Sequence, residues 1–293
     1  MRMTEALLSQ LIDYAGLFPP ASLEMEPAVR NYQQYLAGPF SWILGSFIVP
    51  ASRLSEFSQV FQAVCCDEQE NPWTLSMVCA ADDLPVDLQA IKDFPQGAAF
   101  LSTFEFKATD LRSTRSVLAA LPRGPVRYVE LPPDREPLRK FLPLLASAPA
   151  RAKLRTGGLT PSAIPPSQTV ARFLNDCALE RVPFKATAGL HHPVRSEHAL
   201  TYQMGGPEAK MHGFLNVFLA AALAWYGATE DILLATLNEE DPEAFRLEDD
   251  SIAWREHRMS SNQIERVRKE FAISFGSCSF TEPIDDLKNL EWI

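Results

Sequence analysis

The chain has no run of lysine or arginine residues, and its 293 residues carry a net charge of −10. Nucleic acids and anionic membrane surfaces attract proteins through clustered positive charge. We therefore expect neither a nucleic acid nor a membrane as a partner. An anionic ligand would have to be bound by a small local group of cationic side chains.

Cysteine is scarce, and the five cysteines include no Cys-x-x-Cys pair. Cys65 and Cys66 are adjacent, which suits neither a zinc site nor a disulfide bond. Reduced, mostly buried thiols in a cytoplasmic protein are therefore expected. The first residues carry Glu5 and Asp13 within their apolar stretch and lack a small-residue cleavage site, so no signal peptide is predicted.

No apolar run is long enough to span a membrane. The most apolar stretch extends from Phe214 to Tyr226, which is well short of the roughly 20 residues that a spanning helix needs. A buried helix is predicted there instead. Hydrophobic residues make up 46% of the chain and charged residues 22%, a balance typical of a protein with a large core.

Short apolar segments alternate with amphipathic segments, which is the pattern of repeated strand–helix units. The predicted strands are roughly 10–17, 43–49, 74–79, 98–104, 126–131, 152–156, 183–188 and 273–278. Helices are predicted between successive strands and from 281 to 290. Eight such units in a chain of this length predict an α/β fold, a single (β/α)8 TIM barrel over residues 1–293.

The connection before the last strand is unusually long. Residues 190–271 form a predicted insertion that holds the apolar helix, a second helix near Asp231, a hairpin over residues 245–254 and a helix from Ser261. An insertion of this length is a candidate lid or oligomer contact, so a homo-oligomer is possible. In an alternative register, residues 232–236 are a strand and residues 10–17 are not.

Two lysines lie at the predicted ends of neighbouring strands. Side chains alternate along a strand, so Lys153 shares a face with Arg155, and Lys185 shares a face with Thr187. If these faces point into the barrel, the two amines approach each other. Burial and a nearby like charge both lower the pKa of an amine, and an uncharged lysine can attack a carbonyl group.

Acidic and anion-binding groups accompany these lysines. Glu105 ends the fourth strand and Glu130 ends the fifth, where either could pair with a lysine or move protons. Arg155 offers a fork of donors to a carboxylate or phosphate. The backbone near Gly157 and near Gly276 can approach an anion closely. An ion pair that serves only stability is the alternative for the lysines and Glu130.

Histidines cluster just after the seventh strand. His191 and His192 are adjacent, so one of them could contact a substrate while the other points away. No His-x-His or His-Glu-x-x-His spacing occurs, and the leading interpretation includes no metal site. A metal bound by His191 or His192 with Glu105 or Glu130 is the alternative. Cys278 is interpreted as a packed thiol rather than a nucleophile.

Three segments resemble, in order, the last three strands of the deoxyribose-phosphate aldolase group of class I aldolases. They are Lys153-Leu-Arg-Thr156-Gly157, Lys185-Ala-Thr-Ala-Gly189 and Gly276-Ser-Cys-Ser279. Residues 11–29 are similar to the opening strand and first helix of that family, and Glu130 resembles the acidic end of its fifth strand. The chain departs from the family pattern at Glu105, where the family has an aspartate, at Leu190 in place of a second glycine, and in its longer insertion.

The resemblance implies a lyase that forms a Schiff base between Lys153 and a small anionic carbonyl substrate, without a cofactor. Lys185 would lower the pKa of Lys153, and Glu105 or Glu130 would assist proton transfer. The residues expected to contact the substrate are Arg155, Thr156, Gly157, Thr187, His191, His192, Gly276 and Ser277. The two alternatives are metal-assisted chemistry on the same barrel and a non-catalytic protein that binds an anionic metabolite.

Overall fold

Eight parallel strands close into a barrel in the computed structural model, which describes residues 2–65, 72–95, 97 and 99–293, with only the backbone of Arg135. Strands are numbered in chain order. Those of the barrel are β1 (Ile12–Tyr14), β2 (Leu44–Pro50), β3 (Trp73–Val78), β4 (Ala99–Lys107), β5 (Val126–Glu130), β6 (Arg151–Arg155), β7 (Phe184–Thr187) and β13 (Ala272–Ser277). Each strand pairs with its neighbours in chain order, and β1 closes the barrel by pairing with both β2 and β13.

Helices surround this barrel on its outside. They are α2 (Met25–Ala37), α3 (Leu54–Val64), α4 (Leu84–Asp93), α5 (Leu111–Ala120), α6 (Arg135–Ser147), α7 (Ser167–Leu179) and the closing helix α11 (Thr281–Asn289). A short helix α1 (Met3–Leu8) precedes the first strand. Because helices cover one face of the sheet and the barrel interior covers the other, the strands are rich in buried apolar residues.

The predicted TIM barrel is confirmed, and most predicted elements agree with the observed ones to within a few residues. The first strand is shorter than expected because only Ile12–Tyr14 pairs with its neighbours. The alternative register is wrong: residues 232–236 lie within helix α9 (Glu230–Leu237), and residues 12–14 are a barrel strand. Cys66 and Ala98 lie outside the described residues.

The insertion contributes one helix to the outer ring and two small sheets. Helix α8 (Phe214–Trp225) packs against α7 and α9, and Phe214 stacks on Phe275 of β13 with ring centroids 5.3 Å apart. This packing buries the most apolar stretch of the chain. None of the helices in the described ranges is long and apolar enough to cross a membrane.

The two small sheets of the insertion differ in position. Strands β8 (Ser196–Ala199) and β9 (Glu208–Met211) form an antiparallel hairpin that was not predicted, and residues from this hairpin line the cavity described below. The predicted hairpin is present as β10 (Phe245–Leu247) and β11 (Ser251–Trp254), with β12 (His257–Ser260) as a third strand. Helix α10 (Ser261–Glu270) then leads into β13.

Asn216 fastens helix α8 to the rest of the insertion. Its fully buried amide donates to the carbonyl oxygens of Thr236 and Glu239, both at 2.8 Å, and accepts from the backbone N–H of Arg195 at 2.9 Å.

We expect Asn216→Ala to lower the free energy of unfolding by about 2–4 kcal/mol, because it leaves buried polar groups without hydrogen-bond partners. Urea denaturation measures this loss. Asn289→Ala, at an exposed helix end, is the control, and equal losses in the two variants would contradict this role.

Candidate functional site

Six charged side chains alternate in sign across the upper interior of the barrel and form what we call the charge chain. Its members, in spatial order, are Asp13, Lys185, Glu105, Lys153, Glu130 and Arg155. The strand register accounts for part of this order. Lys153 on β6 lies opposite Lys185 on β7 and opposite Glu130 on β5. The predicted approach of the two lysine-bearing strands is therefore confirmed.

Lys185 is held firmly at the buried end of the charge chain. Its amine donates hydrogen bonds to Asp13 at 2.6 Å and to Glu105 at 2.7 Å. Burial alone would lower the pKa of Lys185, but the two carboxylates outweigh burial and raise this pKa above its usual range. Lys185 therefore keeps its charge, and the expectation that it lowers the pKa of Lys153 stays a prediction.

Glu105 lies between the two lysines and is 0% exposed. Burial would raise the pKa of this carboxyl, but Lys153 and Lys185 outweigh burial and hold the pKa well below its usual range. Ser76 also donates a hydrogen bond to Oε1 of Glu105 at 2.5 Å. Glu105 is therefore a carboxylate, and each of its oxygens faces a different lysine.

Lys153 is held less tightly than Lys185. Its amine lies 2.7 Å from Oε2 of Glu105 and 3.4 Å from Oε2 of Glu130. Its contact with Glu105 is therefore as short as that of Lys185, whereas its contact with Glu130 is clearly longer. Lys153 also lines the cavity described below, whereas Lys185 does not.

Glu130 and Arg155 form the outer end of the charge chain. Arg155 donates from Nε and Nη2 to the two oxygens of Glu130, at 2.9 and 3.3 Å. Burial would raise the pKa of Glu130, but Lys153 and Arg155 together lower it. The side chain of Arg155 is 49% exposed, and its Nη1 group takes no part in the pair with Glu130.

A cavity of about 390 Å³ opens at the carboxyl ends of the barrel strands. The predicted site residues that line it are Glu105, Glu130, Lys153, Arg155, Thr187, His191, His192 and Gly276. Apolar side chains such as Phe18, Ile48 and Met211 line the same space. Active sites of TIM barrels lie at this end of the fold, so this cavity is the candidate functional site.

Three predicted substrate contacts lie outside the lining of the cavity, and two of them hold strand ends together. The hydroxyl of Thr156 is fully buried and donates to the carbonyl oxygens of Thr187 and Ala188. A Cβ on Gly157 would lie 2.9 Å from the Cα of Gly189, so only glycine allows these backbones to approach. Ser277 is buried as well, and its hydroxyl accepts from the backbone N–H of Ser279 at 3.3 Å.

The two adjacent histidines both line the cavity, and both pair with the closing helix. Nδ1 of His191 lies 2.7 Å from Glu282, and Nδ1 of His192 lies 2.7 Å from Asp286. The ring of His192 also stacks on His198 with centroids 3.4 Å apart. Within the described ranges, no three histidine, cysteine or carboxylate side chains are arranged to hold a metal ion, so the geometry does not favour the metal-assisted alternative.

His191 is a cation at neutral pH. Burial lowers its pKa, but hydrogen bonds with Cys278 and Glu282 outweigh burial and raise the pKa to about 9. The imidazolium therefore has two N–H donors, with Nδ1 directed at Glu282 and Nε2 lying 3.9 Å from the sulfur of Cys278. This arrangement gives the cavity a proton donor distinct from the charge chain.

Sequence reasoning missed Asp13 and Glu282 as members of this region. Asp13 is a charged residue in an otherwise apolar buried strand, a signal that often marks a paired interior charge. It is fixed by the hydroxyl of Ser274 at 2.7 Å and by the backbone N–H of Ser46 at 2.8 Å. Glu282 carries no comparable signal, because acidic residues are common in the first turn of a helix.

Comparisons of this chain with protein-family models, with curated proteins and with solved structures found no match. Any functional interpretation therefore depends on the geometry and chemistry of the cavity and its charge chain.

The two lysines of the charge chain should differ in their effect on stability. Lys185→Met leaves Asp13 without its cation inside the barrel, so we expect it to lower the free energy of unfolding by roughly 3–5 kcal/mol. Lys153→Met leaves Glu105 paired with Lys185, so it should lower the free energy of unfolding by clearly less. Urea denaturation of both variants at neutral pH measures the difference, and an equal or larger loss for Lys153→Met would contradict the assignment.

The raised pKa of His191 should make stability depend on pH. Because the pKa is about 9 in the folded protein and 6.5 without partners, this residue stabilises the fold most below about pH 6.5, and the contribution disappears as the pH rises to about 9. His191→Gln should therefore lower the free energy of unfolding by a few kcal/mol near pH 6 and by almost nothing above pH 9. A loss that is independent of pH would show that the ring is neutral when folded.

Proposed function

We propose that this protein is a lyase of the class I aldolase type, in which Lys153 forms a Schiff base with a small anionic carbonyl compound. The observation that carries the proposal is a buried lysine amine that lines a small cavity at the carboxyl end of a TIM barrel and contacts two carboxylates. A buried lysine that borders a cavity can serve as the amine of a Schiff-base enzyme, and the carboxylates beside it can accept and return its proton.

The contrast between the two lysines supports Lys153 as the nucleophile. Lys185 donates two well-formed hydrogen bonds, is 1% exposed and lies outside the lining of the cavity. Its raised pKa keeps it an ammonium group. In the proposed reaction Lys185 therefore acts as a positioning residue, which fixes the charge and the place of Glu105 beside Lys153.

Proton transfers in the proposed reaction use the carboxylates beside Lys153. Glu105 takes a proton from Lys153, and the amine attacks the carbonyl carbon. A second proton passes from the nitrogen to the oxygen of this adduct, and Glu105 then protonates the hydroxyl group, so that water leaves and a protonated imine forms. The protonated imine draws in the electron pair of the bond between the α- and β-carbons as Glu130 takes the proton of the β-hydroxyl group. An aldehyde leaves, and protonation and hydrolysis of the resulting enamine release the second product and regenerate Lys153.

The substrate class follows from the size and charge of the cavity. A volume of about 390 Å³ lies near the lower end of the range for small-molecule sites. Arg155 keeps its Nη1 group beyond its pair with Glu130 and is half exposed, so it can bind a carboxylate or phosphate. We therefore propose a β-hydroxy aldehyde or ketone that carries one such group.

Reductive trapping tests this proposal. The protein is incubated with a panel of small aldehydes and ketones that carry a carboxylate or a phosphate, sodium borohydride is added, and the adduct is mapped by peptide mass. We expect an adduct on Lys153, with a yield that rises with pH because only an amine without its added proton attacks a carbonyl group. Lys153→Met should abolish this adduct.

Lys140→Met, which removes an exposed lysine, is the matched control and should leave the adduct unchanged. An adduct on Lys185 would reverse the roles of the two lysines. The absence of any adduct on either lysine, while the anionic compounds still bind as measured by calorimetry, would contradict Schiff-base chemistry. It would favour the non-catalytic alternative, a protein that binds an anionic metabolite.

A further inference from the structure

The wall of the cavity carries a row of three side chains that do not belong to the charge chain: Cys278, His191 and Glu282. The sulfur of Cys278, just beyond the end of β13, lies 3.9 Å from Nε2 of His191, and Nδ1 of His191 lies 2.7 Å from Glu282. All three residues line the cavity. A nucleophile, a base and a group that orients the base have this arrangement in enzymes that use an activated thiol.

Two polar side chains lie close to the sulfur of Cys278. The imidazolium of His191 has no lone pair on its ring nitrogens, so at Nε2 it can only donate to the sulfur. The hydroxyl of Tyr202 lies 3.7 Å from the same sulfur. Tyr202 is also hydrogen-bonded to Glu282, and a carboxylate can only accept, so the hydroxyl proton of Tyr202 lies towards Glu282.

Two other thiols among the described residues, those of Cys79 and Cys177, lie in different surroundings. Burial raises the pKa of Cys79 to about 12 and that of Cys177 well above its usual range. Neither residue lines the cavity. Cys278 thus combines access to the cavity with the neighbouring ring of His191, whereas these two buried thiols are expected to be inert.

We propose that Cys278, His191 and Glu282 form a second covalent site of the cavity, in which the Cys278 thiolate reversibly captures a small aldehyde as a hemithioacetal. The sulfur forms a bond to the carbonyl carbon, and the π electron pair of the carbonyl group moves to its oxygen. That oxygen takes the proton from Nε2 of His191. The reverse step returns the proton to His191 and frees the aldehyde, so no further reactant is needed.

The aldehyde class follows from what the cluster contains. Addition to an aldehyde requires one nucleophile and one proton donor, and the cluster holds both beside a cavity that fits only small molecules. The proposal does not depend on Lys153, because none of the three residues belongs to the charge chain. It can therefore be tested in a protein that has lost that amine.

Alkylation by iodoacetamide, mapped by peptide mass over a range of pH, tests the state of the thiol. We expect Cys278 to react at pH 6.5 at least about tenfold faster than in His191→Gln, since an ordinary thiol with a pKa near 8.5 holds little thiolate there. Glu282→Gln and Tyr202→Phe, both at partly exposed positions, should each slow the reaction less. Rates that follow an ordinary thiol in every variant would overturn the proposal.

Aldehyde capture is tested in Lys153→Met, where no Schiff base can form at that position. Carbon-13-labelled glycolaldehyde is added, and its hemithioacetal carbon is followed by NMR. We expect a signal that is lost in Lys153→Met/Cys278→Ser. A reactive thiolate without this signal would overturn the aldehyde assignment, while the presence of the signal would support it even if borohydride traps nothing on Lys153 in the unaltered protein.

Discussion

Glu105 lies fully buried between two lysine amines, at 2.7 Å from each. A carboxylate without cations at that position would cost several kcal/mol in lost hydration, and two ammonium groups on neighbouring strands without a carboxylate would repel each other. The three charges therefore depend on one another. Their pairing is uneven, because Lys185 has a second firm partner in Asp13 while Lys153 lies at the border of the cavity. This unevenness distinguishes a fully enclosed charge from one that a ligand in the cavity could contact.

A second cluster of polar side chains lines the same cavity, and its members come from elements that follow β7. The segment after β7 carries His191, the end of β13 carries Cys278, and the closing helix carries Glu282. The insertion adds Tyr202 and the hairpin β8–β9 to the wall. The cavity thus has an amine in one cluster and a thiol in another, each with its own proton donor or acceptor, which suits a ligand with an electrophilic carbonyl carbon.

Strand periodicity predicted which residues share a face, because side chains alternate along a strand, and the observed register places Lys153 opposite Lys185. It could not predict which face points into the barrel, nor how firmly Lys185 is held. How firmly Lys185 is held depends on Asp13, which reaches Lys185 only because β1 closes the barrel beside β13. The pairing of His191 with Glu282 could not be predicted either, because it joins residues that are far apart in the chain and meet only when the closing helix packs beside the cavity.

The order in which the lysines react with a small amine reagent tests the central claim, that Lys153 and not Lys185 is the amine open to the cavity. The folded protein is treated with formaldehyde and cyanoborohydride, and methylation is followed at each lysine by peptide mass, with exposed Lys140 and Lys269 as references. The account predicts that Lys153 is methylated in the folded protein and that Lys185 is methylated only after unfolding. Methylation of Lys185 as fast as Lys153, or protection of Lys153 until the protein unfolds, would contradict it.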